Sequence, residues 1–101
     1  MNDENRPRKV PIDGVLDLHT FRPDDLGSLI PEYIRACRRA QIYQLRIIHG
    51  KGTGNLRRSV HALLDRNPHV IRYRLAGDRS SWGATLVDLE ETSPPDSAGD
   101  A

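Results

Sequence analysis

Two apolar stripes of helical period sit between short runs of period two, and this alternation is what most narrows the fold. Leu26, Leu29, Ile30, Tyr33, Ile34 and Cys37 recur at spacings of three and four, as do Leu56, Val60, Leu63 and Leu64. Each set lines one face of a helix. Pro23, Asp24 and Asp25 suit the first turn of the earlier helix, where proline is tolerated and carboxylates complement the dipole. Pro31 lies inside the same pattern and forfeits the bond to residue 27, which predicts a kink there or a late start at Pro31. Val15-Leu16-Asp17-Leu18-His19 and Leu45-Arg46-Ile47-Ile48 read as strands. So do Gly83 to Leu89 and the run in which Ile71, Tyr73 and Leu75 alternate with Arg72 and Arg74. The order is β-α-β-α-β-β. Handedness of the two strand-helix-strand crossovers puts both helices on one face of the sheet, giving an α/β two-layer sandwich. The last two strands, joined by a short turn, are expected antiparallel, so the four-stranded sheet is mixed.

Residues 1–13 carry no periodicity and read as a flexible N-terminal arm; residues 90–101 are polar, acidic and proline-rich and read as a disordered tail. The domain is expected over 14–89. No apolar run approaches the ~20 residues of a membrane helix, and the start of the chain has no apolar signal-peptide core. A membrane is therefore not an expected partner. A lone cysteine, Cys37, excludes a disulfide-stapled scaffold and a zinc cage and points to a reducing cytoplasm. The net charge of +1 conceals a strong asymmetry. Residues 31–74 set ten Lys/Arg against Glu32 and Asp65, net +8, while 1–30 carry −2 and 75–101 carry −5. Thirteen of the fifteen basic residues are Arg, the side chain that grips phosphate bidentately. That distribution suggests a polyanion partner, DNA or RNA.

The topology gathers the chemistry at one edge. Ligands of open α/β sheets sit off the carboxyl ends of the parallel strands. His19 ends the first strand and His49 the second, and alternation places Asp17 on the same strand face as His19. His49-Gly50-Lys51-Gly52-Thr53-Gly54 opens the second helix. Gly50, Lys51, Gly52, Thr53 and Gly54 are the expected phosphate site, because exposed turn N–H groups and the helix dipole favour an anion and Lys51 adds charge. The spacing is neither a P-loop nor a dinucleotide fingerprint. His49 can act as acid or base, and Asp17 can orient an imidazole or activate water. No structural metal is predicted; a single loosely held Mg²⁺ or Mn²⁺ on Asp17 and His19 stays open. Arg72 and Arg74 project from one strand face and are candidates for tracking a nucleic-acid backbone. Trp82 has two readings, a ring that stacks on an unpaired base or an anchor for the last turn. His61 falls beside the buried stripe and is expected in solvent, and His69 has no evident partner.

These residues resemble the Smr (small MutS-related) domain family across nearly all of 14–89. Leu16-Asp17-Leu18-His19 is similar to its L-D-x-H motif, His49 to Gly54 to its H-G-x-G-x-G motif, and Gly83-Ala84-Thr85-Leu86-Val87-Asp88-Leu89 to its closing G-A-T strand. The sequence departs from the pattern at Thr20, where members commonly carry glycine, and at Ser80-Ser81-Trp82, where many have Gly-Gly. The resemblance implies strand order 1-2-4-3 and a fold like the C-terminal domain of translation initiation factor three. It implies nucleic-acid binding and, in many members, endonuclease or nicking activity on DNA or RNA. With no MutS ATPase or clamp segment, the sequence is expected to be a stand-alone member. Three functions therefore stand: an endonuclease cleaving DNA or structured RNA, a non-catalytic nucleic-acid-binding module, and a protein-interaction domain.

Overall fold

A computed structural model describes residues 10–50, 54–76 and 83–91. Strand β1 covers Val15–Asp17 and is followed by a 3-10 turn, Leu18–Thr20, and a second one, Pro23–Asp25. Helix α1 covers Leu26–Arg39, β2 Gln44–Ile48, α2 Asn55–Asp65, β3 Val70–Leu75 and β4 Ala84–Leu89. The sheet order is β1-β2-β4-β3, with β1 parallel to β2 and β4 antiparallel to both β2 and β3. The layered β-α-β-α-β-β arrangement is as the sequence pattern predicts, and the 1-2-4-3 order is as the family resemblance implies.

The helical stripes do what their spacing demands. Leu26, Ile30, Tyr33, Ile34 and Cys37 of α1 and Val60 and Leu64 of α2 are buried in one cluster with Leu16, Leu18, Leu45, Ile47, Val87 and Leu89. Sheet residues of the opposite parity (Val15, Asp17, Arg46, Ile48, Leu86, Asp88) stay exposed or half-buried, so among the described residues the second face of the sheet is left open. Pro31 does not delay the helix: α1 begins five residues earlier and runs through it. The proline costs one hydrogen bond, to the Gly27 carbonyl. The helix ends with Ile42 N–H donating to the Cys37 carbonyl (2.8 Å) and Gln41 N–H to Arg38 (3.0 Å), while Gln41 takes φ 64°. That paired closure, with Arg38 and Arg39 in the last turn, delivers the chain into β2.

Two expectations about strands are corrected. β1 stops at Asp17, because the Asp17 side chain accepts from the His19 N–H and turns the backbone out of the strand. In β3 the register shifts between Val70 and Arg72. Ile71 is 58% exposed, and Val70, not Ile71, packs on the core with Tyr73. Of the arm expected over 1–13, residues 1–9 lie outside the described residues; Val10 packs against the core. Most of the acidic tail, 92–101, also lies outside them. Glu90 is described: its carboxylate meets His69 Nδ1 (2.9 Å) and Arg38 Nη2 (3.5 Å). His69 thus has a partner after all, and its hydrogen bond, with the Arg38 charge adding, holds the Glu90 carboxyl below the usual carboxylate range. Among the described residues no helix is long and apolar enough to cross a membrane.

Candidate active site at the carboxyl edge of the sheet

Asp17 pairs with Ile48 across the parallel strands, so β1 and β2 finish side by side and their next residues share one edge. Asp17 Oδ1 accepts from the His19 backbone N–H (2.9 Å) and from His19 Nδ1–H (2.5 Å). Both side chains are open to solvent, 56% and 66% exposed. The His19 N–H holds the Asp17 carboxyl below its ordinary value; burial opposes this, and the imidazole adds a smaller lowering of its own. A carboxylate on Nδ1 fixes the ring and leaves Nε2 to face outward. Nε2 lies over Gly50: a Cβ built on that glycine would stand 3.7 Å away. The two residues therefore meet through a capped turn and not, as expected, through strand alternation.

Gly50 adopts φ 83°, a conformation that favours glycine. Its N–H and that of His49 both donate to the Gly83 carbonyl, each at 2.9 Å. His49 follows Leu45 and Ile47 in parity and faces the helices. It is only 5% exposed. Nδ1 donates to the Gly50 carbonyl (3.0 Å), and Nε2 meets the Thr85 hydroxyl (2.9 Å). Both ring nitrogens are thus satisfied internally, so His49 lies at the same edge as His19 but with its imidazole enclosed by the protein.

Two residues that sequence reasoning passed over join His49. Thr85 is fully buried and also meets His61 Nε2, at 2.8 Å. His61, expected in solvent, is half-buried between His49 and Tyr73, with ring centroids 6.2 Å and 4.6 Å away. Burial first, then the His49 and Arg57 neighbours, keep its imidazole below the ordinary value. Tyr73 O–H donates to Asp65 Oδ1 (2.6 Å), which raises the phenol.

Of the expected phosphate turn, Gly50 and Gly54 are described; Lys51, Gly52 and Thr53 lie outside the described residues, as does Trp82. Gly54 caps α2 with φ 90° and no side-chain hydrogen bond, and the first turn of α2 holds no acidic residue. The Arg57 and Arg58 guanidinium groups fold back over it, within 3.2 and 3.6 Å of where a Cβ would stand. Arg58 also donates to Asn55 Oδ1 at 2.5 Å. The positive end of the helix dipole and two cations thus share one end of α2. Arg72 and Arg74 sit on the open sheet face, opposite Asp88 and Leu86 of β4. Arg72 Nε is held by Asp88 (2.8 Å), whereas Arg74 has no carboxylate partner among the described residues. Those residues bring no three His, Cys, Asp or Glu side chains together as a metal-binding group. Asp17 has committed Oδ1 to His19, which leaves Oδ2 for a hard cation that ordinarily takes six or more oxygens.

Residues 16–90 match the family model of the Smr domain. The chain is 37% identical over 84 residues to endonuclease MutS2 of Halothermothrix orenii, covering 82% of this chain and 11% of that protein. It is 41% identical over 75 residues to endonuclease MutS2 of Maridesulfovibrio salexigens, covering 73% and 10%. The chain thus spans about a tenth of the length of these curated relatives. Its fold superposes on the crystal structure of the Smr domain of Thermus thermophilus MutS2 with a TM-score of 0.71 and 26% identity, over 77% of this chain and 99% of that one. It also superposes on YdaL, a stand-alone small MutS-related protein from Escherichia coli, with a TM-score of 0.68 and 24% identity, over 82% and 69%.

Proposed function

The chain belongs to the Smr domain family, and on that premise we propose that it binds nucleic acid and cleaves phosphodiester bonds in DNA or structured RNA. The observation that carries this reading is the exposed Asp17–His19 pair, whose Nε2 lies beside Gly50 and has no partner among the described residues. A phosphate at the start of α2 would meet helix N–H groups and the Arg57 and Arg58 cations, with Lys51 adding charge. His19 Nε2 then takes a proton from the attacking water as its oxygen bonds to phosphorus. The departing sugar oxygen leaves with the bond pair and is protonated in turn. Asp17 holds the imidazole in the required tautomer and stabilises its charged form. His49 touches none of these atoms; it braces the turn from beneath. If a divalent ion takes part, Asp17 Oδ2 is the oxygen the described residues offer it, and the ion would supply charge neutralisation at phosphorus. The basic middle of the chain supports a polyanion substrate.

The test is incubation of the purified chain with supercoiled plasmid and with structured RNA, with and without Mg²⁺, beside Asp17→Asn and His19→Ala. Cleavage by the wild type and its loss in both variants, with salt-sensitive binding retained, is the expected result. Binding without cleavage would leave a nucleic-acid-binding module, and binding that ignores salt would overturn both.

A further inference from the structure

The hydrogen bonds beneath the glycine turn have a forced direction. The Gly50 carbonyl can only accept, so the hydrogen of neutral His49 sits on Nδ1. Nε2 is then a bare acceptor and takes the Thr85 O–H. The Thr85 oxygen, having given its hydrogen away, accepts from His61 Nε2–H. His61 is steadied by a tilted ring contact with Tyr73, which is anchored to Asp65 at the end of α2. The relay therefore runs from the body of α2, through the start of β4, to the first residue of the turn. Among the described residues no buried side-chain nitrogen or oxygen lacks a partner, so no alternative arrangement is needed to satisfy the chain.

We propose that His61 is a positioning residue: acting through Thr85 it selects the His49 tautomer that holds the Gly50 carbonyl, and so sets the turn against His19. Without the His61 donor, only the Gly50 carbonyl, acting through the His49 ring, keeps the Thr85 hydroxyl turned toward Nε2. The His49 hydrogen can then move to Nε2, and a bare Nδ1 would face the Gly50 carbonyl at 3.0 Å, lone pair against lone pair. Gly50, whose N–H is held by Gly83 on its other side, would lose one of its two anchors. The consequence for cleavage rests on the function proposed above; the consequence for His49 does not.

Long-range ¹H–¹⁵N correlation of the histidine rings in the uniformly labelled full chain, without nucleic acid, tests the inference directly. The wild type should show His49 with its hydrogen on Nδ1. Thr85→Val and His61→Leu should admit the other tautomer and move the Gly50 amide resonance, while Thr85→Ser and His61→Gln, which keep the donors, should restore both. In a cleavage assay the first pair should lose on the order of 10-fold in kcat with KM changed less than about twofold, and the second pair should regain it. A wild-type His49 hydrogen on Nε2 would overturn the proposal, as would a folded His61→Leu whose His49 tautomer and Gly50 amide stay in place. If His61→Leu does not fold, the wild-type tautomer and the contrast of Thr85→Val with Thr85→Ser decide. A wild type that never cleaves defeats the proposed function alone, since the ring spectra still settle the relay.

Discussion

The two faces of the sheet at its carboxyl edge carry histidines in opposite circumstances. His19 lies in solvent with one nitrogen on a carboxylate and the other without a partner among the described residues. His49, one strand away, is buried and has both nitrogens satisfied by the protein. Each follows a strand that ends at the same level, and each precedes or touches a turn. Solvation, not position along the chain, separates their roles. A proton carrier needs a nitrogen that substrate can reach. A buried imidazole with two partners is instead a rigid strut, because breaking either bond costs the desolvation of what is left behind. On the proposed function the open face would do chemistry at little cost to the fold, while the covered face holds geometry without touching substrate.

The contrast can be broken most severely at Asp17. Asp17→Asn should lower cleavage by about 10²–10⁴, with the thermal transition scarcely moved; a variant that cleaves at the wild-type rate would remove the open face from the chemistry. Thr85→Val should do the reverse. Stripping a buried hydroxyl from two imidazoles should cost about 1–3 kcal/mol in urea unfolding, with a smaller loss of cleavage than Asp17→Asn. The open face can be divided further. Arg74→Ala should reduce the slope of log K against log salt by roughly 0.7–0.9 in a filter-binding titration, and Arg72→Ala by less, since Asp88 already holds Arg72. Loss of affinity should be the same for every sequence, as phosphate contacts carry no base information. The smallest effect belongs to pH. The folded state keeps His61 below its ordinary 6.5, so the unfolded chain binds a proton first on acidification. Stability on this account is full above that value, falls as pH drops toward the folded value, and levels off below it. His61→Gln should flatten that part of a chemical-denaturation pH profile.

What the sequence disclosed and what it concealed divide along the same physical line. Periodicity located both helices and all four strands because burial of one face is a local, repeated requirement; Leu26 to Cys37 and Leu56 to Leu64 show it. The meeting of Asp17 and His19 at the edge was legible too, although its cause was a side-chain cap, which alternation cannot anticipate. Thr85 and His61 were not legible. Thr85 reads as an ordinary strand residue and His61 as the polar flank of a stripe. Their meeting depends on a contact spanning 24 residues, and that of Thr85 with His49 on one spanning 36. A signal did exist: a hydroxyl at a core-parity position of β4, Thr85 beside Val87 and Leu89, announces a buried polar group in need of partners. The exchange of Ile71 for Val70 escaped for a related reason, since an inserted residue shifts parity without altering composition.

That shift at Val70–Arg72 bears on how the molecule behaves in company. β3 is a margin of the sheet, with backbone groups that another chain could zip onto, and it carries an exposed isoleucine. The extra residue bends and twists the strand just where Ile71 emerges, and Arg72 and Arg74 follow at once. A second copy approaching edge-on would meet a buckled ladder and two like charges. The opposite margin, β1, offers three residues, too short a template for a stable pairing. Both borders thus discourage uncontrolled growth of the sheet, so the open Arg-bearing face can stay exposed without inviting aggregation.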